Sequence, residues 1–306
     1  MNSRLQKRNM SGFTMIELVV VMVLIGILSG ILFTVLRGPL RAYIDNERRA
    51  RLVDIADTAL QRMTREIRLA LPYSIRRATA AGIVSIEFLR TVDGGRYRAR
   101  GTGRLKFNVN TDTFTVLSPL SNPGGIQTGS QSGDCINGDA YCLVIYNIGQ
   151  PLIAPGAPPP PNPPSANVYL GASVNYDGNI ATISGVGSAS GFDTLTFDNS
   201  DLASWNFGIE SPQQRFHIVD SIVSFECNTN TGEITRHSGY SITQSQSATP
   251  GGTSNLLVDQ VTACDFTVID PTYVRAGLLT MTITITDPDS GQQVTLLQQV
   301  HLDNVP

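Results

Sequence analysis

Residues 10–36 read MSGFTMIELVVVMVLIGILSGILFTVL. From position 13 to position 36 there are 24 residues, almost all of them apolar, with a single charge at Glu17. A helix of roughly 20 apolar residues spans a bilayer, so residues 13–36 are predicted to form a transmembrane helix. The preceding residues 1–12 carry three basic and no acidic side chains, which favours a cytoplasmic N-terminus.

The order of small and apolar residues is the reverse of that in a secretory signal peptide. A signal peptide has a shorter apolar core followed by a small-residue cleavage site. Here the small pair Ser11-Gly12 comes before the apolar run. A cut after Gly12 would remove the charged leader, residues 1–12, and leave the apolar helix on the mature chain as an anchor.

The segment Gly12-Phe13-Thr14-Met15-Ile16-Glu17-Leu18 resembles the prepilin cleavage and methylation motif of type IV pilins and type II secretion pseudopilins. The resemblance implies that prepilin peptidase cleaves between Gly12 and Phe13 and that the new Phe13 amine is methylated. It also implies assembly with other major and minor pilins at an inner-membrane assembly platform. The alternative is an ordinary signal anchor with a chance Gly-Phe pair, because short motifs carry a false-positive risk.

Glu17 is a charge in a segment that must enter lipid. A carboxylate at the centre of a membrane helix costs about 2.5–3.5 kcal/mol on insertion scales. The free amine at Phe13, which titrates near pH 8 when unperturbed, is a natural counter-charge. In the pilin family this Glu meets the Phe amine of a neighbouring subunit, so Glu17 is the expected assembly residue. The alternative is that Glu17 reaches the cytoplasmic interface.

Charge is unevenly distributed along the rest of the chain. Residues 37–77 hold ten arginines and five acidic residues, a net charge of +5. Residues 78–306 hold nine basic and nineteen acidic residues, a net charge of −10. Nonspecific nucleic-acid binding depends on neutralising phosphates, so no nucleic-acid partner is expected for this acidic outer domain.

The helix is predicted to continue beyond the membrane as an amphipathic extension over residues 37–77. Apolar residues recur there with the i, i+3, i+4, i+7 spacing of one helical face, and Pro72 is expected to close the run. Gly38-Pro39 should bend or locally open the helix. The apolar positions are Leu52, Ile55, Ala56, Ala59, Met63, Ile67 and Ala70.

The remainder, residues 78–306, is predicted to be a β-rich periplasmic or extracellular domain. Alternating apolar residues indicate antiparallel strands with one face against the helix, which gives an α+β fold. A Pro-rich loop occupies residues 151–164, residues 167–211 are read as mostly loop, and residues 228–254 as polar and partly mobile. The strands are expected near 84–88, 105–109, 114–116, 141–148, 181–183, 194–197, 216–226, 264–269, 279–286 and 294–302.

The C-terminal region carries a second resemblance. The segments RAGLL (275–279) and QVHLDNVP (299–306), with the intervening hairpin, resemble the O-type minor pilin of the mannose-sensitive haemagglutinin (MSHA) pilus. Residues 215–264, which include RHSGY at 236–240, fit the same subgroup. This resemblance implies a minor pilin that acts in pilus initiation or at the filament tip.

Four cysteines are present in the predicted outer domain. Disulfides persist in the periplasm, and three connectivities are possible. Pairing of Cys135 with Cys142 and of Cys227 with Cys264 is favoured, because the first pair closes a short loop and the second joins two strand-like segments.

No cofactor or metal is expected from the sequence. The three histidines are scattered, and the Asp287-Pro288-Asp289 turn offers too few oxygens for the six to eight that calcium prefers, although calcium binding there is retained as an alternative. No nucleophile elbow, phosphate loop or His-Glu-x-x-His motif occurs, so an enzyme is not expected. Trp205 is read as a core or interface residue.

Three functions are therefore open. The first is a minor pilin subunit of a type IV pilus. The second is a pseudopilin of a type II secretion pseudopilus, and the third is a pilin-anchored adhesin. In each case the chain starts as a single-pass inner-membrane protein with its outer domain in the periplasm.

Overall fold

The computed structural model describes residues 14–151, 165–171, 179–198, 207, 209–269 and 277–302. A long N-terminal helix is followed by antiparallel strands, which confirms the predicted α+β, pilin-like architecture. The chain divides into two compact units, Met1–Arg51 and Leu52–Pro306. The first is called the anchor unit below, and the second is called the outer unit.

Helix α1 runs from Met15 to Ile67 and contains Pro39 without interruption. The sequence predicted a bend or local opening at Gly38-Pro39, and no opening is present. Proline removes one i→i−4 hydrogen bond, and the flanking turns keep the helical pattern. Every described residue of the anchor unit is exposed.

The part of α1 that belongs to the outer unit buries one face. The predicted apolar spacing is confirmed, because the buried residues recur three or four positions apart. They belong to one core cluster with apolar side chains from seven strands of the sheets described below. Burying one Leu, Ile or Met side chain contributes about 1.5–3 kcal/mol, so this face fixes the helix to the sheets. The buried helix residues are Leu52, Ala56, Ala59, Leu60, Met63, Thr64 and Ile67.

The end of the helix was predicted wrongly. Pro72 was expected to close the helical run, within an amphipathic extension assigned to residues 37–77, but α1 ends at Ile67. The backbone then pairs with a strand, since the N–H of Leu71 donates to the carbonyl of Leu89 at 2.8 Å and the carbonyl of Leu69 accepts from Thr91 at 2.7 Å. These hydrogen bonds to β2 satisfy backbone N–H and carbonyl groups that would otherwise bond within a longer helix.

The strands and short helices follow in chain order. They are β1 (Arg76–Ala80), β2 (Ile83–Arg96), β3 (Thr111–Thr115), a 3₁₀ turn (Pro123–Gly125), α2 (Asp134–Asn137), β4 (Cys142–Val144), β5 (Gln150–Pro151), β6 (Ser165–Ala166), α3 (Val168–Gly171), β7 (Ile180–Ala189), β8 (Phe192–Asp198), β9 (Arg215–Asn228), β10 (Glu233–Ser238), β11 (Thr253–Val258), β12 (Val261–Ile269), β13 (Gly277–Thr286) and β14 (Gln293–Leu302).

Among the described residues these strands form three sheets. The largest has nine strands in the order β1-β2-β9-β4-β7-β8-β3, with β10 beside β9 and β11 beside β10. The second has the order β12-β13-β14, and β5 with β6 forms the third. The long strands β2 and β9 pair antiparallel from Ile83 opposite Asn228 to Arg96 opposite Arg215.

Two of the buried cores divide the outer unit along these long strands. The first contains the α1 residues together with β2, β9 and β13. The second contains Tyr97, Phe114, Phe197 and Phe216 and, among the described residues, no residue of α1. The Arg96 end of β2 therefore lies beyond the part of the sheet that the helix covers.

Several sequence predictions of loops and strands need correction. Residues 105–109 form no strand, and Asn108 has a φ of 57°, which breaks the extended pattern. Residues 228–254 contain β10, which pairs with β9 on one side and β11 on the other. Residues 167–211, read as mostly loop, contain the β7–β8 hairpin, which confirms the two strands expected near 181–183 and 194–197 and extends both. Residues 152–164 and Trp205 lie outside the described residues.

Candidate processing and assembly site

The described part of the processing motif is the first turn of α1. Gly12 and Phe13 lie outside the described residues, and Thr14 directly precedes the first helical residue, Met15. The N–H of Glu17 donates to the carbonyl of Thr14 at 3.1 Å and lies 3.4 Å from its hydroxyl oxygen. The Thr14 hydroxyl in turn lies 3.5 Å from a carboxylate oxygen of Glu17.

This arrangement makes Thr14 the N-cap residue of α1. Thr-x-x-Glu is the capping-box spacing, in which the cap hydroxyl accepts a hydrogen bond from the N–H three residues later. Thr14 was not among the residues predicted from the sequence, although the spacing from Thr14 to Glu17 was a sufficient signal. The Glu17 carboxylate is also placed near the positive end of the helix dipole, which stabilises it by about 0.3–1 kcal/mol.

The anchor unit exposes an apolar surface, whose contact with water is energetically unfavourable. Among the described residues, one helix is long and apolar enough to cross a membrane, and it is α1. Its large apolar side chains from Met15 to Leu36 are all at least 43 % exposed. The single N-terminal apolar helix is therefore consistent with membrane anchoring of a pilin.

The cysteines form two disulfides. Cys135 in α2 is joined to Cys142 in β4, and Cys227 in β9 is joined to Cys264 in β12. These are the two pairs favoured from the sequence. The second disulfide connects the nine-stranded sheet to the three-stranded sheet, and Cys227 is fully buried beside the α1 face.

The aspartates of the turn at residues 287–289 are explained by local hydrogen bonding. The N–H of Asp289 donates to a carboxylate oxygen of Asp287 at 2.9 Å, which is the side-chain-to-backbone bond that favours Asp in turns. No cluster of three or more His, Cys, Asp or Glu side chains suited to a metal occurs in the described ranges.

The three histidines lie on separate strands. His217 is in β9 and the exposed His301 is in β14. His237 in β10 is buried, with its Nε2 atom 2.9 Å from the Thr235 hydroxyl and 3.5 Å from the Glu226 carboxylate. It therefore contacts polar groups of its own sheet.

The structure also reveals a buried ionic cluster that sequence reasoning missed. The Glu87 carboxylate is 2 % exposed and accepts from Arg76 Nε at 2.6 Å. The Tyr240 hydroxyl donates to the other carboxylate oxygen of Glu87 at 3.0 Å, and the Ser224 hydroxyl contacts both the Glu87 carboxylate and the Tyr240 hydroxyl. The Arg76 guanidinium lies 3.6 Å from the centre of the Tyr169 ring. Strands β1, β2 and β9 meet at this cluster.

The cluster holds a connecting segment against the sheet. The Arg76 guanidinium donates to the carbonyls of Thr243 and Gln244 at 2.9 and 2.8 Å. Burial, reinforced by the Glu87 charge, raises the pKa of Tyr240 and of Tyr169 well above the usual value. Both phenols therefore remain protonated donors, and Tyr240 keeps its bond to Glu87.

Comparison with known proteins gives a family match in the N-terminal part of the chain. Residues 7–33 match the model of the prokaryotic N-terminal methylation motif. No curated protein and no solved structure matches the chain. The motif implies processing by prepilin peptidase and pilin-type partners. With the apolar helix and the antiparallel sheets that follow it, the methylation motif supports assignment of this chain to the type IV pilin-like superfamily.

Proposed function

We propose that this chain is a minor pilin subunit of a type IV pilus of the MSHA type, acting in pilus initiation and tip assembly. The observation that carries the proposal is the methylation motif at residues 7–33, which leads directly into an exposed apolar helix with Glu17 in its first turn. Prepilin peptidase would cleave between Gly12 and Phe13. The Phe13 amine would then be methylated.

The charge of Glu17 is unfavourable in lipid, which favours transfer of the anchor from the membrane into a filament. A carboxylate in a membrane helix costs about 2.5–3.5 kcal/mol at the bilayer centre, and the Thr14 hydroxyl is its described side-chain contact. The Phe13 amine of a neighbouring subunit supplies the missing counter-charge on assembly. The assembly platform would deliver the subunit to that neighbour.

The outer unit suits a structural role at the start of a filament. It spans Leu52–Pro306, which is large for a repeating subunit and easier to place at a tip, where one side alone must pack. Its two disulfides suit the periplasm and the extracellular space, where such bonds persist. We propose no catalysis and no cofactor for it, and no nucleic-acid partner.

The second candidate is a pseudopilin of a type II secretion system, because the same methylation motif occurs in both classes. The neighbouring genes and the fraction in which the chain is found separate the two. A pilus subunit is recovered with filaments sheared from the cell surface, whereas a pseudopilin stays with the envelope while an exported enzyme depends on it.

The first experiment tests processing. Gly12→Val should block maturation, because a side chain at this position obstructs the cut, and Gly12→Ala should be cleaved more slowly than wild type. N-terminal sequencing of the wild-type product should begin at Phe13 and show methylation. A mature chain that begins at any other residue would refute the prepilin assignment.

The second experiment separates assembly from folding. Glu17→Ala should lower the amount of this chain in sheared filaments and leave cleavage and the thermal melt of the outer unit unchanged. Glu47→Ala is the matched control, because Glu47 is an exposed glutamate of the same helix outside the apolar span. Wild-type recovery of the Glu17 variant would show that Glu17 is not an assembly contact.

A further inference from the structure

The arginines of the anchor unit are concentrated directly after its apolar span. Residues 37–51 contain five arginines and two acidic residues, a net charge of +3. All residues of this segment are exposed on α1. The apolar run ends at Leu36, and the first arginine is the next residue of the same helix. The five are Arg37, Arg41, Arg48, Arg49 and Arg51.

These arginines lie on the side of the span where basic residues are usually depleted. Lys and Arg close to a span are enriched on the cytoplasmic side. The leader, residues 1–12, carries three basic residues, and under the proposed function it faces the cytoplasm while residues 37–51 face the periplasm. Orientation of the chain therefore does not account for the five arginines, and their charge requires another interaction.

The length of the span places Arg37 and Arg41 at the level of the lipid headgroups. Positions 13–36 comprise 24 residues, and a helix of that length is about 36 Å long. The hydrocarbon core is about 30 Å thick, and the bilayer with its headgroups is about 40–45 Å thick. Arg37 therefore lies just beyond the hydrocarbon, and Arg41 lies about 6 Å further along the helix.

The side chains of this segment reach back toward the span. Helical side chains tilt toward the N-terminus of their helix. The guanidinium carbon of Arg37 accordingly lies 5.3 Å from the centre of the Phe33 ring, one turn earlier. A cation–π contact uses the face of the guanidinium plane, so the N–H groups at its edge can still donate to a phosphate. Long basic side chains at the end of a span place their charge at the membrane surface in this way.

Arg37 and Arg41 have no acidic partner in the described part of α1. The carboxylates closest to them in sequence, Asp45 and Glu47, form no ion pair with either one. Residues four positions apart lie on the same face of a helix, so the two arginines are neighbours. The guanidinium fork binds phosphate through two parallel hydrogen bonds. The pair is therefore suited to a phosphate group.

Exposed apolar residues beside the two arginines favour a lipid over a soluble ligand. Leu40, Tyr43 and Ile44, called the apolar stripe here, are 60, 69 and 46 % exposed. Their spacing of three and four residues places them along one side of the helix. Tyr is enriched at the membrane surface, and helices with adjoining basic and apolar faces bind at the boundary of headgroups and acyl chains. A soluble phosphate or an acidic peptide would leave the apolar stripe in water.

We propose that Arg37 and Arg41 bind the phosphates of anionic phospholipids, with the apolar stripe at the boundary between headgroups and acyl chains. The assignment of this site to the periplasmic leaflet rests on the proposed function. Anionic lipids are favoured over zwitterionic ones because residues 37–51 have a net charge of +3, and basic residues next to a span attract an anionic membrane surface. The bound lipids fix the depth of the anchor before assembly.

The test is retention of lipid by the full-length chain. The wild type is reconstituted in nanodiscs that contain equal amounts of phosphatidylglycerol and phosphatidylcholine. Native mass spectrometry then identifies the lipids that stay bound after the chain is released. The wild type should retain phosphatidylglycerol in preference to phosphatidylcholine. In Arg37→Gln/Arg41→Gln this preference should fall about tenfold or more, because each arginine near the surface contributes to binding.

The matched control is Arg62→Gln/Arg65→Gln, which removes the same charge from two exposed positions of α1 in the outer unit. It should leave the lipid preference unchanged. A wild type without a preference, an unchanged preference in Arg37→Gln/Arg41→Gln, or an equal loss in the control would each overturn the proposal. Displacement of the retained phosphatidylglycerol by millimolar inorganic phosphate would also overturn it, in favour of a site for soluble phosphate.

Processing separates this proposal from the proposed function. All variants should still be cleaved after Gly12, and the thermal melt of the outer unit should be unchanged. Normal processing without a lipid preference would reject the lipid site and leave the pilin function standing. Failure of wild-type processing, with the lipid preference intact, would reject the pilin function and leave a lipid-binding anchor.

Discussion

The disulfide between Cys227 and Cys264 should contribute more stability than the one between Cys135 and Cys142. The sequence separations are 37 and 7 residues. In the chain-entropy treatment, closing the longer loop stabilises the folded chain by about 4 kcal/mol at 25 °C and closing the shorter one by about 2.4 kcal/mol. The longer bridge should also matter more because it joins two sheets that share no strand pairing.

The perturbation is replacement of each pair by alanine in the full-length chain. Guanidinium denaturation in mild detergent, followed by circular dichroism of the β structure, measures the unfolding free energy. The Cys227→Ala/Cys264→Ala variant should lose about 4 kcal/mol, with the free energy at zero denaturant obtained by linear extrapolation. The Cys135→Ala/Cys142→Ala variant is the matched control and should lose roughly half as much.

The order of the two losses in unfolding free energy tests the argument from loop length. A greater loss in the short-loop variant would refute the argument from loop length, since chain entropy orders the two disulfides unambiguously. Reduction of the wild-type chain before denaturation should reproduce the combined loss. A wild-type chain that keeps its full stability after complete reduction would refute the contribution of both bonds.

Three further predictions concern the core, the ionic cluster and alkaline pH. Met63 is fully buried, so Met63→Ala should lower the unfolding free energy by about 2–5 kcal/mol, whereas alanine at the exposed neighbour Arg62 should change it little. Glu87→Leu should cost about 1–3 kcal/mol, because the partly buried Arg76 loses its carboxylate partner and the Tyr240 hydroxyl loses its acceptor, and the double change Glu87→Leu/Arg76→Met should recover part of that loss in the same denaturation assay. Burial raises the pKa of Tyr97 from 10.0 to about 12, so the Tyr97 hydroxyl loses its proton at lower pH in the unfolded chain than in the folded one. Its contribution to the unfolding free energy should therefore be fully present below pH 10 and be lost between pH 10 and 12. A pH series of thermal melts should show a smaller decrease in stability over this range for Tyr97→Phe than for the wild type.

Local patterns were enough to predict the helical core face and the C-terminal hairpin. The helical spacing from Leu52 to Ile67 fixes which side chains turn inward, because an amphipathic helix has one apolar face. The alternation over residues 279–286 likewise predicts β13, whose buried and half-buried residues alternate along its whole length. Both patterns depend on neighbours within a few residues, so a single sequence displays them.

The start of α1 belongs to the same class of evidence. The leader, Gly12, Phe13 and Glu17 follow each other in a fixed order, and the match to the methylation motif rests on that order. The capping spacing from Thr14 to Glu17 was equally local. Glu17 was predicted as a charge in lipid, and the same spacing also makes it part of the helix cap.

Tertiary structure alone decided where the helix ends, how the strands are ordered and which charges meet. Ile67 ends the helix because the following backbone bonds to β2, a partner that no local pattern announces. Arg76 and Glu87 lie close in sequence, yet Tyr240 joins them only through folding. Local order and periodicity in the sequence were enough to predict the apolar anchor helix, the α+β class and the buried helix face. The order of the nine-stranded sheet and the contact of Glu87 with Tyr240 depend on pairing between distant residues, which fixes groups in space without leaving a local signal.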